Sequence, residues 1–165
     1  MLDSEMLAAV KAGMKGELDS IAVYEEAAKV SDGEVRDFFL ERAAEEKKHF
    51  NFLLGFYKQR TINLTPERSV EAELGGDWRA AIVSEKFLRA IGGSRQLSAA
   101  VSSAVLLELT AIRHYRDWAA RIDRPEIRDF LLVLVEWEER HYADLLRIQE
   151  EAERYYFELN RFEPF

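Results

Sequence analysis

Apolar residues recur at three- and four-residue spacing through four long stretches of the chain, with almost no glycine or proline inside them. That period belongs to helices with one buried face. The pattern predicts helices near 3–30, 34–60, 95–121 and 125–159. Ser31 followed by Glu34 reads as a capping box for the second, and Asp123, Pro125 and Glu126 signal the start of the fourth. The first and second helices, and likewise the third and fourth, are separated by only a few residues, which forces antiparallel hairpins. Between them TINLTPERSVEAELGG and DWRAAIVSEKFLRAIGG are too long for a turn. Asp77 and Gly92 look like the cap and stop of a short helix there. The expectation is an all-α four-helix bundle forming a single domain over 1–165. Hairpin 1 covers about 3–60, the crossover about 61–94 and hairpin 2 about 95–160.

The second hairpin repeats the first. EVRDFFLERAAEEKKHFNFLL from Glu34 lies over EIRDFLLVLVEWEERHYADLL from Glu126, and ELDSIAVYEEAA from Glu17 lies over ELTAIRHYRDWA from Glu108. Glu46 and His49 thereby match Glu138 and His141, while Glu17 and Tyr24 match Glu108 and Tyr115.

Composition narrows the chemistry. The 165 residues suffice to bury roughly two thirds of the surface of the unfolded chain. There is no cysteine, so disulfides, thiolate sites and iron–sulfur ligation are excluded, and any metal must take oxygen and nitrogen ligands. The net charge of −8 argues against nucleic acid and anionic membranes as partners. The acidic first residues do not resemble a signal peptide, and the weakly charged run Leu97 to Leu107 is too short to span a bilayer, so a cytoplasmic location is expected.

A glutamate and a histidine at i and i+3 share one helix face. Glutamate is so frequent here that any histidine has roughly one chance in eight of such a neighbour upstream; two of the three histidines have one, at matching places in the repeat. Counted from the hairpin turns, Glu17, Glu46, Glu108 and Glu138 all lie about 14 residues deep, roughly 20 Å at 1.5 Å per residue. Four glutamates and two histidines thus converge at one level of the bundle. Buried together, the carboxylates would repel one another and lose hydration unless protonated or matched by cations, and two divalent ions would neutralise them. Oxygen and imidazole donors suit iron or manganese, with zinc able to take the same place.

Glu17 with Tyr24, Glu46 with His49, Glu108 with Tyr115 and Glu138 with His141 together resemble the rubrerythrin-type members of the ferritin-like superfamily, from about residue 5 to residue 150. The resemblance implies a ferritin-like bundle whose metal ligands are Glu17, Glu46, His49, Glu108, Glu138 and His141, with Glu46 and Glu138 bridging two ions, iron first. It implies redox chemistry on peroxide or dioxygen. An iron-oxidising or storage role, and a metal-free structural bundle, are the alternatives. Rubrerythrins usually append a cysteine-bearing rubredoxin domain, and without cysteine electrons would come from a separate donor protein. They also tend to carry a glutamate three residues after the third-helix ligand, where this chain has Ala111; the matching first-helix position is Ser20. That difference favours a plainer site.

Tyr24 and Tyr115 lie two turns beyond Glu17 and Glu108 on the same faces, and since side chains lean toward the helix N-terminus their hydroxyls can donate to the carboxylate layer. His114 points about 240° around the helix from Glu108 and reads as a surface or interface residue. Lys47 and Lys48 read as solvated. Glu45 matches Trp137 in the other copy, which argues against a symmetric ligand role for it. The aromatic tail ERYYFELNRFEPF reads as packing on the bundle or on a second subunit, and a homodimer is the default assembly.

Overall fold

The computed structural model describes residues 4–59 and 82–160. Five helices account for them: α1 (Ser4–Lys29), α2 (Gly33–Gln59), α3 (Glu85–Gly93), α4 (Arg95–Arg121) and α5 (Pro125–Asn160). No strand occurs among the described residues, and none of these helices is long and apolar enough to cross a membrane. The fold is a ferritin-like helical bundle, with α1 antiparallel to α2, α4 antiparallel to α5, and α1 lying along α4.

The turn between α1 and α2 differs from the sequence expectation. Ser31 does not cap α2; its Oγ donates backward to the Ala27 carbonyl at 2.8 Å, closing the end of α1. Gly33 enters α2 at φ +49°, a conformation that favours glycine. Glu34 is therefore free of the box and reaches across to the crossover, where it accepts from the Ser84 backbone N–H at 2.8 Å and from the Ser84 hydroxyl. Ser84 in turn caps α3 by accepting from Phe87 N at 3.0 Å. The proposed cap Asp77 lies outside the described residues. Gly92 does not stop α3 but sits in its last turn, against α5: a Cβ there would stand 2.3 Å from the Ala152 carbonyl oxygen. Pro125 stands first in α5, as expected of a residue without an N–H to satisfy.

The apolar faces build two separate clusters. One, around Phe38, Phe39, Phe87, Ile91, Val101 and Ile148, fills the end of the bundle on which α3 packs. The other, around Met6, Leu53, Phe56, Ile112, Phe130 and Leu134, fills the opposite end. Glu17, Glu46, His49, Glu108, Glu138 and His141 lie between them, all buried. Among the described residues no Cα of α2 comes within 8 Å of one on α5. These two helices carry the Glu-x-x-His pairs and meet through side chains, as where Phe130 stacks on Phe52 and Phe56 at 5.2 and 5.1 Å. That separation makes room for the polar layer.

Candidate metal centre

Each member of the layer is set by helical period. On α2 the inward stripe runs Phe39, Arg42, Ala43, Glu46, His49 and Leu53, and on α5 it runs Leu131, Leu134, Glu138, His141 and Leu145, all buried. The Glu-x-x-His pairs continue an apolar stripe, so helix formation alone carries the carboxylates and imidazoles inward. α1 and α4 add Glu17 and Glu108 from the other side.

Ligating atoms of Glu46, His49, Glu138 and His141 lie within 4.8 Å of one another. Both imidazoles turn Nδ1 toward the glutamates. Glu46 places Oε2 3.3 Å from His49 Nδ1 and Oε1 2.9 Å from His141 Nδ1. Glu138 places Oε1 3.3 Å from His49 Nδ1 and Oε2 3.8 Å from His141 Nδ1. Each of these carboxylates therefore offers one oxygen to each imidazole. The rings stack at 5.5 Å with 14° between their planes. Glu17 Oε2 lies 3.7 Å from His49 Nδ1.

The tyrosines are crossed over relative to their helices. Tyr24 on α1 donates to Glu108 Oε1 on α4 at 2.5 Å, and Tyr115 on α4 donates to Glu17 Oε1 on α1 at 2.6 Å. Antiparallel packing of α1 on α4 brings each hydroxyl level with the glutamate of the other hairpin. Gly13 makes this possible on one side, since a Cβ there would meet the Tyr115 hydroxyl at 2.9 Å.

Burial and neighbouring charge act in opposite directions on different members of the layer. Burial, reinforced by Glu138, pushes the Glu17 carboxyl well above the ordinary range, and burial with Glu46 and Glu138 does the same to Glu108. Burial would raise Glu46 as well, but His141 and His49 outweigh it and hold this carboxyl well below the usual range. Against the same burial, Glu46 and Glu138 hold His49 well above its ordinary value, and Glu46 and Glu45 raise His141 to about 9. Burial and the adjoining glutamates push both tyrosine hydroxyls upward.

These groups remain incompletely satisfied. Both oxygens of Glu138, Oε1 of Glu46 and all four ring nitrogens of His49 and His141 are buried without an aligned hydrogen-bond partner. Such a concentration of unmet donors and acceptors in one place is foreign to ordinary cores. The orphaned atoms of Glu46, Glu138, His49 and His141 lie close together, and their oxygens and nitrogens fit a divalent metal.

Two nearby residues were not legible as part of the layer. Glu45 places Oε2 3.3 Å from His141 Nε2, and Arg42, its own guanidinium buried, brings Nη1 to 3.0 Å from the same oxygen. Arginine on the inward stripe of α2 was the available signal. His114 is remote from the layer; half-buried, it donates from Nε2 to the Ala9 carbonyl at 2.9 Å, joining α4 to α1. Lys47 pairs on the surface with Glu25 at 2.6 Å and Lys48 is exposed. Of the aromatic tail, Tyr155 is buried against α3 and carries Arg89 over its ring at 4.6 Å; residues 161–165 lie outside the described part.

The sequence pattern of the rubrerythrin family matches residues 9–149, most of the chain and both Glu-x-x-His pairs. The chain belongs to the rubrerythrin family. Comparison with curated proteins and with solved structures gave no match. The buried Glu/His group of this rubrerythrin-family chain is one that could hold metal, and members of the family characteristically do so.

Proposed function

We propose that the chain is a dinuclear carboxylate protein that holds two metal ions, iron first, and carries out redox chemistry on peroxide or dioxygen. Glu17, Glu46, His49, Glu108, Glu138 and His141 would hold the ions, with Glu46 and Glu138 the carboxylates placed to serve both. The observation that carries this reading is that both of those carboxylates span both imidazoles, one oxygen to each.

Bound iron would supply the electrons and the coordination positions for an oxygen-based substrate. The chain's own residues do the remaining work. The two apolar clusters exclude water from either side of the layer, which strengthens each electrostatic contact within it. Tyr24 and Tyr115 donate to Glu108 and Glu17 and fix the direction in which those carboxylates point. Electrons would come from a donor outside these 165 residues, which carry no cysteine for a redox cluster.

One observation favours a second reading, iron oxidation and storage. The positions three residues beyond Glu17 and Glu108 are Ser20 and Ala111, and neither adds a carboxylate to the layer. Metal analysis of purified protein should find close to two ions per chain, and changing Glu46 and His49 to alanine together should abolish them; unchanged metal content in that variant would defeat both readings. With iron-loaded protein, peroxide and a reductant, consumption of peroxide far beyond the bound iron supports the redox enzyme. Uptake of many irons per chain supports storage instead.

A further inference from the structure

The repeat makes the two halves of the layer comparable position by position, and they differ around the histidines. His141 turns Nδ1 inward to Glu46 and Glu138 and leaves Nε2 facing Glu45 Oε2 at 3.3 Å. That oxygen is steadied from behind by Arg42 Nη1 at 3.0 Å, whose guanidinium lies over the Phe38 ring at 5.6 Å. Among the described residues His49 Nε2 has no such support. Where the repeat would place the equivalents of Arg42 and Glu45 stand Leu134 and Trp137. The Trp137 ring meets His49 edge-on at 5.7 Å, offering an aromatic surface instead of a carboxylate.

We propose that Glu45 is a positioning residue for His141 alone, and that it makes the two metal positions unequal in affinity. The inference rests on the dimetal reading of the cluster. An imidazole that ligates through Nδ1 carries its proton on Nε2, and a carboxylate receiving that proton fixes the tautomer, the ring angle and the basicity of the ligating nitrogen. In this chain Glu45 Oε2 and His141 Nε2 are both buried and neither has an aligned hydrogen bond among the described residues, so a small rotation can align them while Glu45 keeps its ion pair with Arg42. The ion beside His141 gains from that contact. The ion beside His49, whose ring rests on tryptophan, does not.

The test is calorimetric titration of the metal-free protein with zinc, joined to NMR of the zinc-loaded protein carrying nitrogen-15 in its histidines. Wild type should bind two ions per chain in two separable steps. E45L should weaken one step about 10- to 100-fold and leave the other in place, and the Nε2 proton of His141 should lose its deshielding while that of His49 stays unmoved. E45Q, which keeps an acceptor oxygen, should weaken the same step by less, and it carries the test if E45L folds poorly. Equal weakening of both steps, no weakening of either, or a shift at His49 would overturn the role of Glu45 while leaving the dimetal reading intact. No zinc uptake by wild type would overturn both.

Discussion

Tyr24 and Tyr115 each meet a buried carboxylate that has few other partners, so the hydroxyl is expected to matter more than its size suggests. Tyr24→Phe should cost about 1–3 kcal/mol of stability by leaving Glu108 without its donor; Tyr115→Phe should cost a similar amount through Glu17. Thermal or denaturant melting of each protein measures both. Gly13 poses the opposite problem. In an exposed helix, glycine to alanine gains about 1 kcal/mol, but here the new methyl would collide with Tyr115 Oη and Cε1 at 2.9 and 3.0 Å. Gly13→Ala should therefore destabilise, and melting of Gly13→Ala in the Tyr115→Phe background should show part of that loss recovered, since the nearest clashing atom is gone. The glutamates and histidines themselves were legible in sequence because repeat, spacing and depth agreed. Glu45 was not, because the comparison between halves that exposed those six residues also dismissed a residue present in only one of them.

At the level of elements, the long helices could be read almost to the residue because their apolar stripes are continuous and their ends carry ordinary signals. Connections were harder, since their residues choose partners from distant parts of the chain. Ser31 and Glu34 have the sequence of a capping box, but Ser31 turns back to α1 and Glu34 spends its carboxylate on Ser84, fifty residues away. Nothing local announces that choice. Gly92 was misread as a stop for the same reason: its lack of a side chain serves the approach of α5, which sequence does not place. Gly92→Ala should force α3 off Ala152 and Tyr155 at a cost of about 1–3 kcal/mol, typical of overpacking. Hydrogen exchange should show α3 losing protection while α1 retains it; uniform change across all helices would contradict this account.

For the molecule as a whole, the buried layer sets how stability follows pH. His141 is raised to about 9 and His49 is raised as well, while Glu17 and Glu108 are also raised. A raised group stabilises the fold below its unfolded-state value and loses that contribution as pH climbs through its folded-state value. In protein stripped of metal by a chelator the two glutamates should thus begin to lower the melting temperature above roughly pH 4.3, the ordinary glutamate value, and the histidines should add to the loss from roughly pH 6.5 up to about 9. Metal binding requires the same groups to give up protons, so zinc or ferrous ion should abolish or reverse the decline and release protons on binding. A melting series with and without metal, with proton release followed in weak buffer, checks both parts. Glu46 is held low and opposes the trend only at acid pH, where its contribution is lost as pH falls.

The crossing of the tyrosines has a consequence for how the chain is divided. Tyr24 and Glu17 lie in the same helix but serve different hairpins, and so do Tyr115 and Glu108. Each half of the chain lends its hydroxyl to the other and takes one in return. The two hairpins are thus related as the subunits of a twofold dimer that exchange a residue across their interface, with the crossover acting as the tether. Neither hairpin is a self-sufficient module, and the smallest unit with its inner carboxylates fully oriented is the pair.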